Sequence, residues 1–203
     1  MNPKIAVLDY GIGNLGSAQK AFVAIGADAK LVRTPTEVSA ADAVVLPGVG
    51  AFGACVDALH ASGLDRVALE AIHSGAPFLG ICVGMQMLFR SSAEDPTHAG
   101  LGVFDRGVVG LEGGVKIPQM QWNKMTTTDH PMFAGLNSPW VYFVHSFAAE
   151  PGSDVIATCD YGGPVTAAVA RDSIWATQFH PEKSAQTGLR ILRNFVDFAG
   201  RSR

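Results

Sequence analysis

The sequence is poor in the residues on which a disulfide framework or a zinc site depends. It has three cysteines, Cys55, Cys82 and Cys159, which are odd in number, far apart and without a C-x-x-C pair. Small disulfide-held domains and zinc-binding modules carry more cysteines at closer spacing. Each cysteine is therefore predicted to be either a small buried side chain or a reactive thiol.

Long apolar runs and basic clusters are also missing. The apolar run at residues 5–8 is too short for a signal-peptide core, and no stretch approaches the roughly 18 apolar residues of a membrane span. A net charge of −3 gives no general attraction to nucleic acid or to anionic membranes. We therefore expect a cytosolic protein that binds neither, and no metal or organic cofactor is implied.

The chain is long enough for one domain with a sizeable core, since it has 203 residues of which 48% are hydrophobic. A single domain over residues 1–203 is predicted. In the first half, short apolar runs alternate with helical patterns, which predicts parallel strands in a central sheet with helices on both faces. The predicted strands are 4–8, 29–33, 42–46 and 77–81, and the predicted helices are 17–25, 51–74 with a break at Gly63, and 84–90.

The second half of the sequence has a different pattern from the first. Short strand-like runs are separated by tight turns rich in Gly, Pro and Asp, and a helical pattern over 188–199 closes the chain. The fold class predicted is α/β: a three-layer, mostly parallel sheet with an additional antiparallel strand region in the C-terminal half. The strand-like runs are 107–111, 140–144, 154–158, 165–170 and 174–178.

Four segments combine unusual chemistry with the end of a predicted strand, where sites form in open α/β sheets. They are residues 9–16, 47–53, 80–86 and 180–182. In the third, Gly80-Ile81-Cys82-Val83-Gly84 has the spacing of a nucleophile elbow with Cys in place of Ser, and a helix N-terminus after it would favour a thiolate. Taken alone, this pattern is equally typical of a buried cysteine in a glycine-rich turn.

The segment His180-Pro181-Glu182 supplies what a reactive thiol requires. A thiol needs a base, and the base needs a group that fixes its tautomer and orientation. A carboxylate two residues after the histidine can reach the imidazole. An isolated His-Pro-Glu is more often a surface turn, but beside the elbow it predicts a catalytic triad of Cys82, His180 and Glu182.

The segment from Pro47 to Gly53 fits an oxyanion hole. Acyl transfer requires backbone N–H groups directed at the developing negative charge. We predict that the amides of Val49 and Val83 are these donors, with Gly48 and Gly50 giving the backbone its freedom. The alternative is a glycine-rich turn that serves only packing.

The first loop contains Gly11, Gly13 and Gly16 in the G-x-G-x-x-G spacing of dinucleotide-binding folds. Arg33 even ends the second predicted strand, where a residue that binds a 2′-phosphate could lie. Asp9 places an anion where a pyrophosphate would sit, however, and the nucleotide interpretation leaves the predicted triad without a role. A dinucleotide site is therefore the less favoured interpretation.

These segments resemble the triad-type class I glutamine amidotransferases. The sequence is similar in particular to the glutaminase subunits of imidazole glycerol phosphate synthases, and the similarity spans essentially the whole chain. The stretches that carry it are 9–17, 47–52, 80–89, 142–146, 178–184 and 188–195.

The resemblance implies an enzyme of two proteins. L-Glutamine is hydrolysed on this chain, and ammonia passes to a (β/α)8 barrel cyclase, the partner in a heterodimer, which makes imidazole glycerol phosphate and AICAR in histidine biosynthesis. Cys82 would be the nucleophile, His180 the base and then the acid, and Glu182 the orienting carboxylate. The family also links the Pro-Gly-Val-Gly strand to activation, since one peptide must turn its N–H inward when the cyclase binds its ligand.

Further positions are assigned only through the resemblance. Gln86 and Glu94 match positions that hold the glutamine head group, and His145 and Ser146 match a segment that lines the pocket mainly through backbone groups. Interface candidates on the cyclase-facing side are Asn14, Trp122 and Lys183.

The sequence departs from the family pattern at three positions. Gln119 and Gln121 replace the usual His and Gly, and Phe147 stands where Tyr is common. The two glutamines favour an alternative, in which the chain is the glutaminase of a paralogous amidotransferase such as a sugar-aminating synthase. A non-catalytic binding subunit and a thiol hydrolase that acts alone are further alternatives.

Overall fold

A nine-stranded mixed sheet forms the centre of the computed structural model, which describes residues 3–201. The predicted domain limits at 1 and 203 therefore lie outside the described residues. Five neighbouring strands of the sheet are parallel. In spatial order they are β2 (Asp28–Val32), β1 (Lys4–Leu8), β3 (Ala43–Gly48), β4 (Phe78–Cys82) and β12 (Ile174–Thr177).

The sheet continues with four antiparallel strands, which realise the antiparallel region predicted for the C-terminal half. A separate three-stranded sheet packs beside it. The antiparallel strands are, in order, β11 (Pro164–Arg171), β10 (Val155–Asp160), β7 (Gln119–Thr127) and β8 (Trp140–His145); the small sheet contains β5 (Phe89–Ser92), β6 (Phe104–Gly110) and β9 (Phe147–Ala149).

Helices lie on both sides of the central sheet, so the predicted α/β class is confirmed. Gly63, with φ 71°, separates two helices at the predicted break. The helices are α1 (Leu15–Ala24), α2 (Pro35–Ser39), α3 (Phe52–Ser62), α4 (Leu64–His73), α5 (Val83–Gln86) and α6 (Ala185–Arg201), and short 3-10 turns occur at Pro131–Phe133 and Pro181–Lys183.

The strands that lead to the site are the most deeply buried. Every residue of β3, β4 and β12 is buried, because helices and neighbouring strands cover them on both faces. On one side, Phe195 of α6 packs against Trp175 of β12, with ring centroids 5.7 Å apart. The register of these strands fixes the site, since Gly48 lies opposite Cys82 and Thr177 lies opposite Ile81.

One predicted helix was wrong, and one predicted strand was too short. The third strand does not end at residue 46, since β3 continues through Gly48. The helix predicted over 84–90 is only the single turn α5, and the chain then enters β5, whose Phe89 pairs with Phe104 of β6. Buried apolar residues suit either a helix or a strand, so pairing with β6 decides the outcome.

Two strands were missed because they lack a clear period-two pattern. In β7 only two of nine residues are buried, and β9 has only three residues. Among residues 3–201, no helix combines the length and apolar character needed to cross a membrane.

Candidate active site

A cavity of about 520 Å³ opens at the carboxyl ends of β3, β4 and β12. All four segments singled out in the sequence contribute to its wall, as expected for parallel strands that end at one edge. The lining residues are Asn14, Val49, Gly50, Cys82, Val83, Gln86, Glu94, Pro118, Val144, His145, Ser146, Phe147, His180 and Lys183.

Cys82 sits in a strained turn between β4 and α5. Its φ of 56° and ψ of −114° are unfavourable for a residue with a side chain, and such strain is typical of a nucleophile elbow. A Cβ on Gly84 would collide with the carbonyl oxygen of Leu46, and one on Gly48 would lie 2.6 Å from the Gly84 nitrogen. The glycines are therefore required because the turn packs directly on β3.

The helix after the nucleophile is shorter than predicted. Because α5 has one turn, its partial positive charge supports a thiolate less than a full helix would. The Val83 amide, the first of this turn, has no acceptor within its own helix. Val83 also lines the cavity, and an oxyanion role for its amide stays a prediction.

The structure brings His180 and Glu182 to the same edge. Since Thr177 of β12 pairs with Ile81, the residues after β12 pass beside Cys82. His180 Nδ1 lies 2.8 Å from Glu182 Oε1, and the two side chains are 2% and 3% exposed. The carboxylate holds the ring by Nδ1, which leaves Nε2 for the thiol.

The surroundings of His180 favour its protonated form. Burial lowers the pKa of the imidazole, but interactions with Cys82 and Glu182 outweigh burial and raise the pKa to about 9. An imidazolium at neutral pH between a thiol and a carboxylate is the state that stabilises a thiolate. The three predicted triad side chains thus form one interacting group.

Gln178 is a polar contact of the nucleophile that the sequence analysis did not single out. It is fully buried, and its Nε2 lies 3.9 Å from Cys82 Sγ. Its Oε1 accepts a hydrogen bond of 3.0 Å from Gln86, whose Nε2 also donates to the Phe147 carbonyl at 3.0 Å. Its proximity to His180 in the sequence was the only available signal, because the contact depends on strand register.

His145 belongs to the wall of the cavity and not to the triad. Burial lowers the pKa of His145 to about 4, so the ring is neutral at pH 7. Its Nδ1 lies 2.9 Å from the Phe147 carbonyl and its Nε2 2.9 Å from the Gln119 side chain. In the structure the Gln119 oxygen faces Nε2 and its NH₂ donates to Cys159 Sγ at 3.8 Å. Exchanging the oxygen and nitrogen of this amide would satisfy every group, with Nδ1–H donating to Phe147, the Gln119 NH₂ donating to Nε2 and the Cys159 thiol donating to the Gln119 oxygen.

Gln119, the first of the two glutamines that depart from the family pattern, is fully buried behind the cavity wall. Its side chain contacts His145 and orients the ring. Gln121 lies on the exposed face of β7. Only the second of the two glutamines can touch a partner protein directly.

Glu94 and the segment of residues 47–50, here named the oxyanion strand after its predicted role, lie along the same cavity. The Phe52 amide, which follows the oxyanion strand, donates to Glu94 Oε2 at 3.2 Å. Gly50 has φ +95°, a left-handed conformation that favours glycine. Glu94, Val49 and Gly50 lie in the cavity wall, and their roles in glutamine binding and in the oxyanion hole stay predictions.

The first loop does not have the arrangement of a phosphate site. Asp9 is 7% exposed, its Oδ2 pairs with Arg33 Nε at 2.6 Å, and its Oδ1 accepts from the Gly11 amide. The amide and the arginine that would bind phosphate already bind a carboxylate. The geometry gives no support to the dinucleotide interpretation.

The interface candidates separate into two groups. Asn14 and Lys183 line the cavity, whereas Trp122 lies on β7 and is 45% exposed. Across residues 3–201, no group of three or more His, Cys, Asp or Glu side chains could hold a metal ion.

Known proteins are similar to this chain over nearly its whole length. It is 48% identical over 195 residues to imidazole glycerol phosphate synthase subunit HisH of Methanothermobacter thermautotrophicus, covering 95% of this chain and 98% of that protein. It is also 48% identical over 204 residues to the subunit of the same name from Syntrophotalea carbinolica, covering 95% and 99%.

Solved structures with lower sequence identity share the fold. A crystal structure of a glutamine amidotransferase aligns with a TM-score of 0.77 at 22% identity, covering 97% of this chain and 98% of that one. PurLQS from Thermotoga maritima contains a chain that aligns with a TM-score of 0.74 at 17% identity, covering 98% and 99%.

The family comparison agrees with the geometry of the cavity. The model of the family described as glutamine amidotransferase class-I matches residues 6–198, which include every residue of the candidate site. The chain belongs to the class-I glutamine amidotransferase family.

Proposed function

We propose that this chain is the glutaminase subunit of an imidazole glycerol phosphate synthase. The observation that carries the proposal is that a strained cysteine and a buried histidine line one cavity, and that a buried carboxylate holds the histidine at 2.8 Å. The names of the relatives at 48% identity support the choice of pathway. Residues 1–203 would form one amidotransferase domain, and the assembly with the cyclase would act as hydrolase and lyase in the cytosol.

The reaction begins with attack of the Cys82 thiolate on the carboxamide carbon of L-glutamine. The carbonyl π electrons move to oxygen, and the resulting oxyanion accepts hydrogen bonds from the Val49 and Val83 amides. His180 then donates its proton to the amide nitrogen as the C–N bond breaks. Ammonia leaves, and a γ-glutamyl thioester remains on Cys82.

The second half-reaction, hydrolysis of the thioester, returns the enzyme to its starting state. Neutral His180 accepts a proton from water, and the hydroxide equivalent attacks the thioester carbon. The C–S bond breaks, glutamate leaves, and the thiolate–imidazolium pair is restored. Glu182 acts through its 2.8 Å contact with Nδ1, since it holds the ring in one orientation during both proton transfers.

The cavity also offers acceptors for the ammonium group of glutamine. Both hydrogen bonds donated by Gln86 use its amide nitrogen, which leaves its oxygen as an acceptor at the cavity wall. The carboxylate of Glu94 lies in the same wall. Backbone groups of His145 and Ser146 would complete the substrate pocket.

The partner proposed is a (β/α)8 barrel cyclase, with which the chain would form a heterodimer and to which ammonia would pass. An exposed apolar patch on β7 and β8 supports a protein partner, since Met120, Trp122 and Trp140 are 61%, 45% and 54% exposed. Apolar patches of this kind mark interaction sites. Asn14 and Lys183 would contact the cyclase at the cavity mouth.

The paralogue interpretation loses part of its support, because the buried Gln119 acts inside the protein. Gln121 remains as the one exposed departure that favours it. A non-catalytic subunit is disfavoured, since the strained conformation of Cys82 would persist without a use.

Glutamine hydrolysis is expected to depend on the partner. Alone, the chain should hydrolyse glutamine slowly, because the Val49 amide would await the turn of its peptide. The cyclase with its ribonucleotide ligand should raise kcat by about 100-fold, the effect typical of one oxyanion donor. The measurement is glutamate release by the chain purified alone and with the host's cyclase, with and without ribonucleotide.

The control is the same complex in which Cys82 is alanine, which reports any contaminating glutaminase. Equal turnover with and without the cyclase and its ligand would contradict the proposed partner dependence.

A further inference from the structure

Tyr10, in the loop after β1, reaches the oxyanion strand. Its hydroxyl donates a hydrogen bond of 2.7 Å to the Pro47 carbonyl, and the side chain is only 5% exposed. β1 and β3 are paired in parallel with Val7 opposite Val45, so the loop after β1 lies beside the end of β3. The contact is thus a direct result of strand register.

Cys55, in the first turns of α3, reaches the same strand from another direction. Its Sγ lies 3.3 Å from the Val49 carbonyl oxygen, and its side chain is fully buried. Tyr10 and Cys55 also interact with each other, and burial raises the pKa of both groups. Both therefore keep their protons at neutral pH and remain hydrogen-bond donors.

The two anchored carbonyls flank one peptide. Pro47 and Val49 accept from Tyr10 and Cys55, and between these carbonyls lies the Gly48–Val49 peptide, which carries the Val49 N–H. A peptide plane can turn only about the Cα atoms at its ends. With the planes on both sides held, this peptide can still turn by opposite rotations at Gly48 and Val49, and the turn is confined to this one peptide.

The oxyanion strand cannot supply this restriction itself. A Cβ at Gly48 would lie 2.6 Å from the Gly84 nitrogen, so no larger residue fits there. Gly50 has φ +95°, which also favours glycine. Glycines leave a backbone free to adopt several conformations, so the two side-chain anchors add to the pairing of Gly48 with Cys82 in fixing the flanking peptides.

We propose that Tyr10 and Cys55 are positioning residues that hold the peptides on either side of the Val49 amide, so that this peptide alone turns its N–H into the oxyanion hole. The inference rests on the proposed function, because it gives that amide a role in glutamine hydrolysis. Neither side chain is among those that line the cavity, so both act through the backbone that they hold.

The test uses Tyr10→Phe in the complex with the cyclase and its ribonucleotide. This change removes the hydroxyl and keeps the buried ring. We expect kcat for glutamine hydrolysis to fall about tenfold, a fraction of the effect of removing an oxyanion donor outright. KM should stay within about twofold, because the anchor does not touch substrate, and the rate of Cys82 alkylation by iodoacetamide should be unchanged.

Tyr161→Phe is the matched control, since its hydroxyl also donates to a backbone carbonyl, that of Lys116, but outside the cavity. It should leave kcat unchanged. Cys55→Ala should lower kcat by about threefold, because a thiol is a weak donor, and Cys55→Ser should restore it by keeping a donor.

The outcomes distinguish a failure of the positioning role of Tyr10 from a failure of the proposed glutaminase function. A kcat for Tyr10→Phe within twofold of the native complex, or a fall matched by Tyr161→Phe or by slower alkylation, would overturn the positioning role. A native complex that does not hydrolyse glutamine would reject the proposed function, and the inference with it. A fall in kcat alone, with unchanged KM and alkylation, supports the inference.

Discussion

Replacing Cys82 with alanine should abolish glutamine-dependent synthesis by the complex while leaving synthesis from added ammonium intact. The expected loss is about 10⁴-fold or more, since the thiol forms the covalent intermediate and no other group can replace it. Ammonium enters after the glutaminase step, so the cyclase should use it at the native rate. The measurement is product formation with each nitrogen source.

The matched control is Cys159→Ala, which removes a buried thiol that contacts Gln119 behind the cavity wall. This variant should keep most of its glutamine-dependent activity. If the Cys82 variant still used glutamine, Cys82 would have no part in the mechanism. If it lost synthesis from both nitrogen sources, the variant would have lost its assembly with the cyclase.

Replacing His180 with asparagine should lower kcat for glutamine hydrolysis by about 10³-fold or more. General acid–base catalysis is typically worth 10²- to 10⁴-fold, and here one imidazole serves both half-reactions. Alkylation of Cys82 at pH 7 should also slow, because the thiolate would lose the imidazolium beside it. Stopped assays of glutamate release and mass spectrometry of alkylated peptides measure the two effects.

The pH profile gives an independent check on the same residue. Because the pKa of His180 is raised to about 9, the native enzyme keeps the proton for the leaving ammonia until the pH rises through that value. Activity should then decline, and the residual activity of the asparagine variant should lack this decline. His73→Asn, an exposed change at the end of α4, is the control and should match the native profile. An unchanged profile in the His180 variant would exclude it as the acid.

The parallel half of the fold could be predicted because its signals are local. Buried strands of four to six residues, bounded by glycine and proline, alternate with amphipathic helices, and α3 and α4 separate at the predicted glycine. The small sheet could not be predicted in the same way. Phe89 follows a helical pattern in the sequence, and only its pairing with Phe104 across the small sheet makes it part of a strand.

The site shows the same division between local and distant information. The proximity of Cys82 to the His180–Glu182 pair could be predicted because each lies in a short motif with a chemical meaning. Tyr10 and Gln178 lie in stretches that carry the family resemblance, but their contacts depend on register between strands that are distant in the sequence. The burial of Gln119 could not be predicted either, since a departure from a family pattern does not show which way a side chain points.

The most direct test of the central claim is covalent labelling by a glutamine analogue. The claim is that Cys82, held beside a protonated His180 in the glutamine pocket, is the attacking group. Incubation of the complex with 6-diazo-5-oxo-norleucine, followed by peptide mass mapping, should place the label on the peptide that contains Cys82 and leave Cys55 and Cys159 unmodified, and excess glutamine should protect. A label on either of the other two cysteines, with Cys82 unmodified, would contradict the account.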